Sequence, residues 1–177
     1  MLTIDPSRSV LLVIDFQSRL MPAIHEGETA VRNASRLIDA AKLCGIPRLF
    51  TEQNAKGLGP TVDDLPIERD GLVHKQFFDA CREDGFLERI RTDAHVVVAG
   101  CESHVCVQQT VLGLLEAARK TYVARDALGS RRSEDKETAI RRMEHHGAEV
   151  VTTEMVVFEW LQTAEHPRFR QAIALIK

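Results

Sequence analysis

A chain of 177 residues, 44% hydrophobic and 28% charged, has the size and composition of one globular domain with a full core. The net charge of −3, without a basic stripe, argues against a nucleic-acid partner, and no apolar run is long enough to span a bilayer. Residues Met1 to Pro6 lack the basic start of a signal peptide, and Cys44, Cys81, Cys101 and Cys106 fit no zinc ribbon or disulfide framework, so a cytoplasmic location with reduced thiols is expected.

Val10 to Ile14 is a short continuous apolar run, the pattern of a strand buried on both faces. Ala30, Ala34, Leu37, Ile38 and Ala41 share one helical face, and Gly45 and Pro47 end that helix. Pro47 to Thr51 reads as a second strand. Asn54 to Pro66 reads as a long loop near the surface, and Gly71 to Lys75 as a third strand. A helix is expected over Asp84 to Arg91. His95 to Ala99 is the fourth strand, followed by a helix carrying Val107, Val111, Leu114, Leu115 and Ala118. Lys120 to Ala124 gives a fifth strand. Ser133, followed by Glu134, Asp135 and Glu137, has the form of a capped helix start, and that helix runs to Gly147. Glu149 to Thr152 is a sixth strand, and helices over Glu154 to Gln162 and Pro167 to Ile176 close the chain.

This alternation predicts a three-layer α/β/α sandwich built on a mainly parallel six-stranded sheet in the order 3-2-1-4-5-6, with residues 1–177 as one domain. In such sheets ligands bind beyond the carboxyl ends of the strands, at the point where the order reverses. Asp15 closes the first strand, Lys75 the third, and Cys106 follows the fourth where a helix begins. By position alone, Cys106 is equally a nucleophile favoured by the helix dipole or a buried packing thiol. Asp15 alone reads as a turn cap and Lys75 as a strand-end charge. Together they supply nucleophile, base and cation on one rim. A thiolate can attack a carbonyl-type carbon, backbone N–H groups of the Glu102–Cys106 turn can hold the oxyanion, and Asp15 can return the proton.

Three stretches resemble the isochorismatase-like cysteine hydrolases: Leu11-Leu12-Val13-Ile14-Asp15-Phe16-Gln17, Lys75-Gln76-Phe77-Phe78-Asp79-Ala80 and Gly100-Cys101-Glu102-Ser103-His104-Val105-Cys106-Val107. They occur in that family's order. Thr51-Glu52-Gln53, Lys56 to Val62, His104 to Val111 and His166-Pro167-Arg168-Phe169 look most like the subgroup of isochorismatase domain-containing protein 2. The resemblance implies an Asp15–Lys75–Cys106 triad. It also implies a cis peptide between Cys101 and Glu102 that aims the N–H groups of Glu102 and Cys106 at an oxyanion, and a homo-oligomer. Nicotinamidases of the superfamily carry an Asp-x-His metal motif after the second strand. Here that place reads Thr51-Glu52-Gln53-Asn54-Ala55, which argues against catalytic zinc and against nicotinamidase activity; Gly100 is not part of a G-x-G-x-x-G, and no cofactor is expected.

Phe16, Glu52, Gln53, Phe78, Glu102 and Val105 flank the motifs and are expected to line the pocket of a small-molecule substrate. His104 reads as a turn residue, Asp126 as a turn-fixing residue, His145 and His146 as helix-end residues, and Arg131 and Arg132 as a solvated loop or, alternatively, as a site for an anionic substrate. Val156, Val157, Phe158, Trp160 and Leu161 hold more apolar surface than one helix face buries, which points to a dimer. Three functions fit the sequence. One is a metal-independent cysteine hydrolase acting on an amide or related C–N bond. The others are a silent scaffold of the same fold and a redox-sensing thiol resolved by Cys101.

Overall fold

The computed structural model describes residues 2–177. The strands are β1 (Ser9–Ile14), β2 (Arg48–Gln53), β3 (Leu72–Lys75), β4 (His95–Cys101), β5 (Lys120–Gly129) and β6 (Glu149–Val151). All pair in parallel, in the order β3-β2-β1-β4-β5-β6, as the sequence pattern predicts. The helices are α1 (Gly27–Leu43), α2 (Ala55–Leu58), α3 (Gln108–Glu116), α4 (Ser133–His145), α5 (Thr153–Leu161) and α6 (Phe169–Ile176).

Strand alternation divides the interior into two cores. Leu11, Val13, Val97 and Ala99 face Leu37 and Ile38 of α1, Val157 and Trp160 of α5 and Ala172 of α6. Val10, Leu12, Ile14, Val96 and Val98 face Val111 and Leu114 of α3 and Ile140 and Met143 of α4. Both faces of β1 and β4 are therefore dry, and each fully buried Val or Leu there contributes about 1.5–3 kcal/mol.

Four local expectations are corrected. Residues 84–91 form no α-helix: Gly85 sits at φ 74°, and short 3-10 turns at Ala80–Arg82 and Leu87–Arg89 bury Phe86 and Ile90 instead. Ser133 does not cap α4; Arg132 holds the cap position without a side-chain bond, while Glu134 and Asp135 do occupy the first turn. The 54–66 segment is clamped inward. Ser18 N donates to Pro60 O, Val62 N donates to Phe16 O, and Thr61 and Leu65 are buried. In α5, Val156, Val157, Trp160 and Leu161 pack on their own sheet, leaving Met155 and Phe158 as the exposed large apolar side chains, so that helix does not argue for a dimer.

β5 runs five residues past its expected end. Its register against β4 jumps from Val98↔Val123 to Gly100↔Leu128, so Ala124 to Ala127 bulge out of the ladder. Asp126 in the bulge fixes the start of α5, accepting from Thr153 N (2.8 Å) and Thr153 Oγ1 (3.0 Å). The polar Arg125-Asp126 pair ends the apolar run in the sequence without ending the strand.

Gly100 lies where β1, β4 and the following turn converge. A Cβ there would sit 2.7 Å from Ile14 Cβ, 2.8 Å from Ile14 O and 3.0 Å from Val107 Cγ2. Gly100→Ala is expected to destabilise the fold by about 1–3 kcal/mol through overpacking. Thermal unfolding checks this, and an unchanged midpoint would show that the strands part without cost.

Candidate active site

Asp15 stands at the end of β1 with φ 52°, the left-handed region that Asp tolerates better than most residues. That conformation turns the chain sharply and leaves the side chain under the sheet edge. Lys75, at the end of β3, reaches the same point. Its Nζ lies 2.8 Å from Asp15 Oδ2, and both side chains are fully buried. The ammonium also donates to Gln53 Oε1 (2.7 Å) and more weakly to Phe77 O and Phe78 O (3.3 Å each). Thr51 Oγ1 donates to Asp15 Oδ1 at 2.6 Å, while Asp15 Oδ2 has no partner besides Lys75.

Thr51 and Gln53 act together because alternate residues of β2 share a face. Gln53 is itself locked: its Nε2 donates to Gln76 O, and its N–H donates to Oε1 of the fully buried Gln17. Gln17 in turn donates to Gln53 O and Gly59 O. The sequence reading missed Thr51 and Gln17 as supports. Their signal is only a polar side chain at the end of an otherwise apolar strand.

Cys106 enters from the other side of the switch point. After β4 the Cys101–Glu102 peptide is cis, and residues Ser103–Val107 make a single π turn that leads into α3. Ser103 Oγ donates to Gly129 O, and His104 Nδ1 meets Ser130 Oγ at 3.0 Å, tying the turn to the end of β5. Val105 N and Val107 N donate to Glu102 O. Cys106 Sγ lies 3.9 Å from Gln53 Oε1. Burial foremost, then the Asp15 carboxylate, pushes the thiol up to about 12, while Lys75 pulls the other way. Burial and the Asp15 carboxylate thus work against the helix dipole and favour the protonated thiol.

These groups open on a cleft of about 330 Å³ lined by Asp15, Arg19, Leu20, Ala23, Gln53, Leu58, Phe78, Glu102, Val105, Cys106 and Arg131. Gln53, Phe78, Glu102 and Val105 line it as expected from the sequence. Phe16 and Glu52 do not. Phe16 is buried in the core beneath α1, and Glu52 points to the opposite face of β2 from Gln53. There Glu52 accepts from Thr61 N (2.7 Å) and Thr61 Oγ1 (2.9 Å) and closes the 54–66 loop. Arg131 is exposed, as a loop residue would be, but it also lines the cleft and holds Glu102 Oε2 through Nε at 2.8 Å. Cys101 belongs to the core on the opposite sheet face from Cys106, and both thiols are free. A Cys101–Cys106 redox pair is therefore excluded by placement. Among the described residues no group of three or more His, Cys, Asp or Glu side chains is set to hold a metal ion, and no helix is long and apolar enough to cross a membrane.

A parallel sheet in this order, with a thiol, a carboxylate and an ammonium at its switch point, defines an α/β protein whose site is built for chemistry at the strand ends. Residues 9–155 match the Isochorismatase domain, and the chain belongs to that family. It is 34% identical to isochorismatase domain-containing protein 2 of Danio rerio, over 95% of this chain and 86% of that protein. The structure of a MAR1 ribonuclease from Caenorhabditis elegans is similar with a TM-score of 0.89 and 34% identity, covering 98% of this chain and 92% of that one. An octameric Escherichia coli hydrolase of unknown specificity shares the fold, with a TM-score of 0.86 and 22% identity over 99% of this chain and 88% of its own.

The charges around Cys106 have opposite signs, so their removal has opposite effects. The rate of Cys106 alkylation by iodoacetamide is expected to climb through the ordinary thiol range near 8.5 without a plateau. Asp15→Asn should shift the profile to lower pH and Lys75→Met to higher pH. Peptide mapping of the labelled cysteine reads this, and a plateau below the ordinary range in the unmodified protein would contradict the assigned environment.

Proposed function

We propose that this protein is a metal-independent cysteine hydrolase of small molecules, acting at an amide or related C–N bond. The observation that carries the reading is the convergence of Asp15, Lys75 and Cys106, from three separate strand ends, on one partly apolar cleft. In this mechanism Cys106 is the nucleophile and Asp15 the proton shuttle. Lys75 holds Asp15 in place and offsets the charge that builds on sulfur.

Because the resting sulfur keeps its proton, attack and proton transfer go together. Asp15 Oδ2, unpartnered apart from Lys75, takes the thiol proton as the S–C bond forms. The N–H groups of Glu102 and Cys106 receive the oxyanion. Asp15 then protonates the leaving nitrogen, the C–N bond breaks, and a thioester remains. Water, deprotonated by Asp15, attacks the thioester, and the sulfur leaves with the proton. No step needs a metal or another cofactor. A polynucleotide, as the name of the C. elegans relative would suggest, is a poor match for a 330 Å³ cleft on a chain of net charge −3.

A screen of small amides, carbamates and N-carbamoyl compounds tests the reading. Turnover should vanish in Cys106→Ala, fall on the order of a hundredfold or more in Asp15→Asn, and ignore chelators. Activity that persists in Cys106→Ala, or that chelators remove and zinc restores, would overturn it. A silent scaffold would hydrolyse nothing in the screen.

The protein is also proposed to self-associate, with a dimer as the smallest unit. Phe77 and Phe78, 46% and 51% exposed and adjacent in the turn after β3, supply the apolar surface that favours this. Light scattering at micromolar concentration should give at least twice the chain mass, and a monomer would end the proposal.

A further inference from the structure

We infer that the cleft selects substrates carrying a carboxylate group, and that Arg131 is the residue that recognises it. The inference rests on the hydrolase reading and names the class of substrate that site would take.

The register jump in β5 carries the chain to Gly129 and Ser130, which are pinned by Ser103 and His104, and so delivers Arg131 to the rim of the cleft. Its guanidinium is only partly used. Nε donates to Glu102 Oε2 at 2.8 Å and the backbone N–H to the same oxygen at 3.3 Å. Among the described residues neither terminal nitrogen donates to any protein group. The Arg131 side chain is 60% exposed, whereas its Glu102 partner is only 10% exposed. Glu102 therefore acts as an anchor: it fixes one edge of the guanidinium and leaves the outer edge for a ligand. That free edge is a planar pair of donors matched to a planar carboxylate.

The charges agree. Asp15 is offset by Lys75, and Glu102 by Arg131. Arg19 lines the same cleft, and its own protein contacts are backbone carbonyls, Lys56 O and Gly57 O at 3.2 Å. It has no carboxylate to neutralise it, so the cleft carries one net positive charge. The remaining lining, Leu20, Ala23, Leu58, Phe78 and Val105, is apolar and strengthens an ion pair by excluding water. A small acid with its scissile group near Cys106 and its carboxylate at the rim meets both demands.

Two reagents of similar shape and different charge test this without a known substrate. Iodoacetate carries a carboxylate and iodoacetamide a neutral amide. Both alkylate Cys106 by the same displacement: sulfur bonds to the methylene carbon, iodide leaves, and the thiol proton passes to Asp15 or solvent. At mildly alkaline pH the iodoacetate-to-iodoacetamide rate ratio at Cys106, divided by that of free cysteine, should be about tenfold or more above unity. Arg131→Gln should bring it close to unity, and Glu102→Ala, which removes the anchor of the guanidinium, should lower it. Arg132→Gln, exposed and outside the cleft, should leave it unchanged. A normalised ratio near unity in the unmodified protein, or equal losses in Arg131→Gln and Arg132→Gln, would overturn the carboxylate site while leaving the hydrolase reading intact. Failure of both reagents to label Cys106 would instead overturn the nucleophile assignment, and this proposal with it.

Discussion

The buried pair of Lys75 and Asp15 is the constraint on which the site depends. Removing an ammonium and a carboxylate from water costs several kcal/mol each, and only close, well-oriented partners offset it. Here the partners come from everywhere the sheet ends. Asp15 closes β1, Thr51 and Gln53 close β2, Lys75 closes β3, and the carbonyls of Phe77 and Phe78 belong to the turn beyond. The pair therefore fixes the register of three strands at their carboxyl ends. Stripping one charge strands the other, a loss of about 3–5 kcal/mol in such settings. Asp15 and Lys75 are thus as much a stability problem as a chemical one, and a fold that keeps them has to keep the polar ring around them.

The fold was legible because its signals are apolar. β1 and β4 read as continuous hydrophobic runs since both their faces are covered, and α1 shows its stripe because only one face is. The convergence of Asp15, Lys75 and Cys106 was legible because polar residues sit at the ends of those runs. What stayed hidden is what polar residues do when they are structural. Arg125 and Asp126 look like the end of β5 but form a bulge inside it. Glu52 looks like a cleft residue but serves as the clasp for Thr61, because a strand sends successive side chains to opposite faces. Arg131 looks like loop solvent exposure, and only the extra length of β5 brings it to the cleft.

The two carboxylates in the cleft show how exposure divides roles. Asp15 and its cation are both sealed from solvent, so the pair offers nothing outward. Glu102 and its cation are unequal: the carboxylate is buried and the guanidinium lies open, so the pair holds its place while still offering donors outward. The same contrast explains the thiol. On the carboxylate proposal, a cysteine made acidic in advance would stand as an anion in the cleft, repelling a negatively charged ligand and reacting with any electrophile that entered. Burial and Asp15 instead favour the protonated thiol, which in the proposed mechanism would couple activation of the nucleophile to correct docking. The thiol thus stands between a sealed ion pair and an open one, and on the proposed mechanism selectivity and reactivity would both follow from that placement.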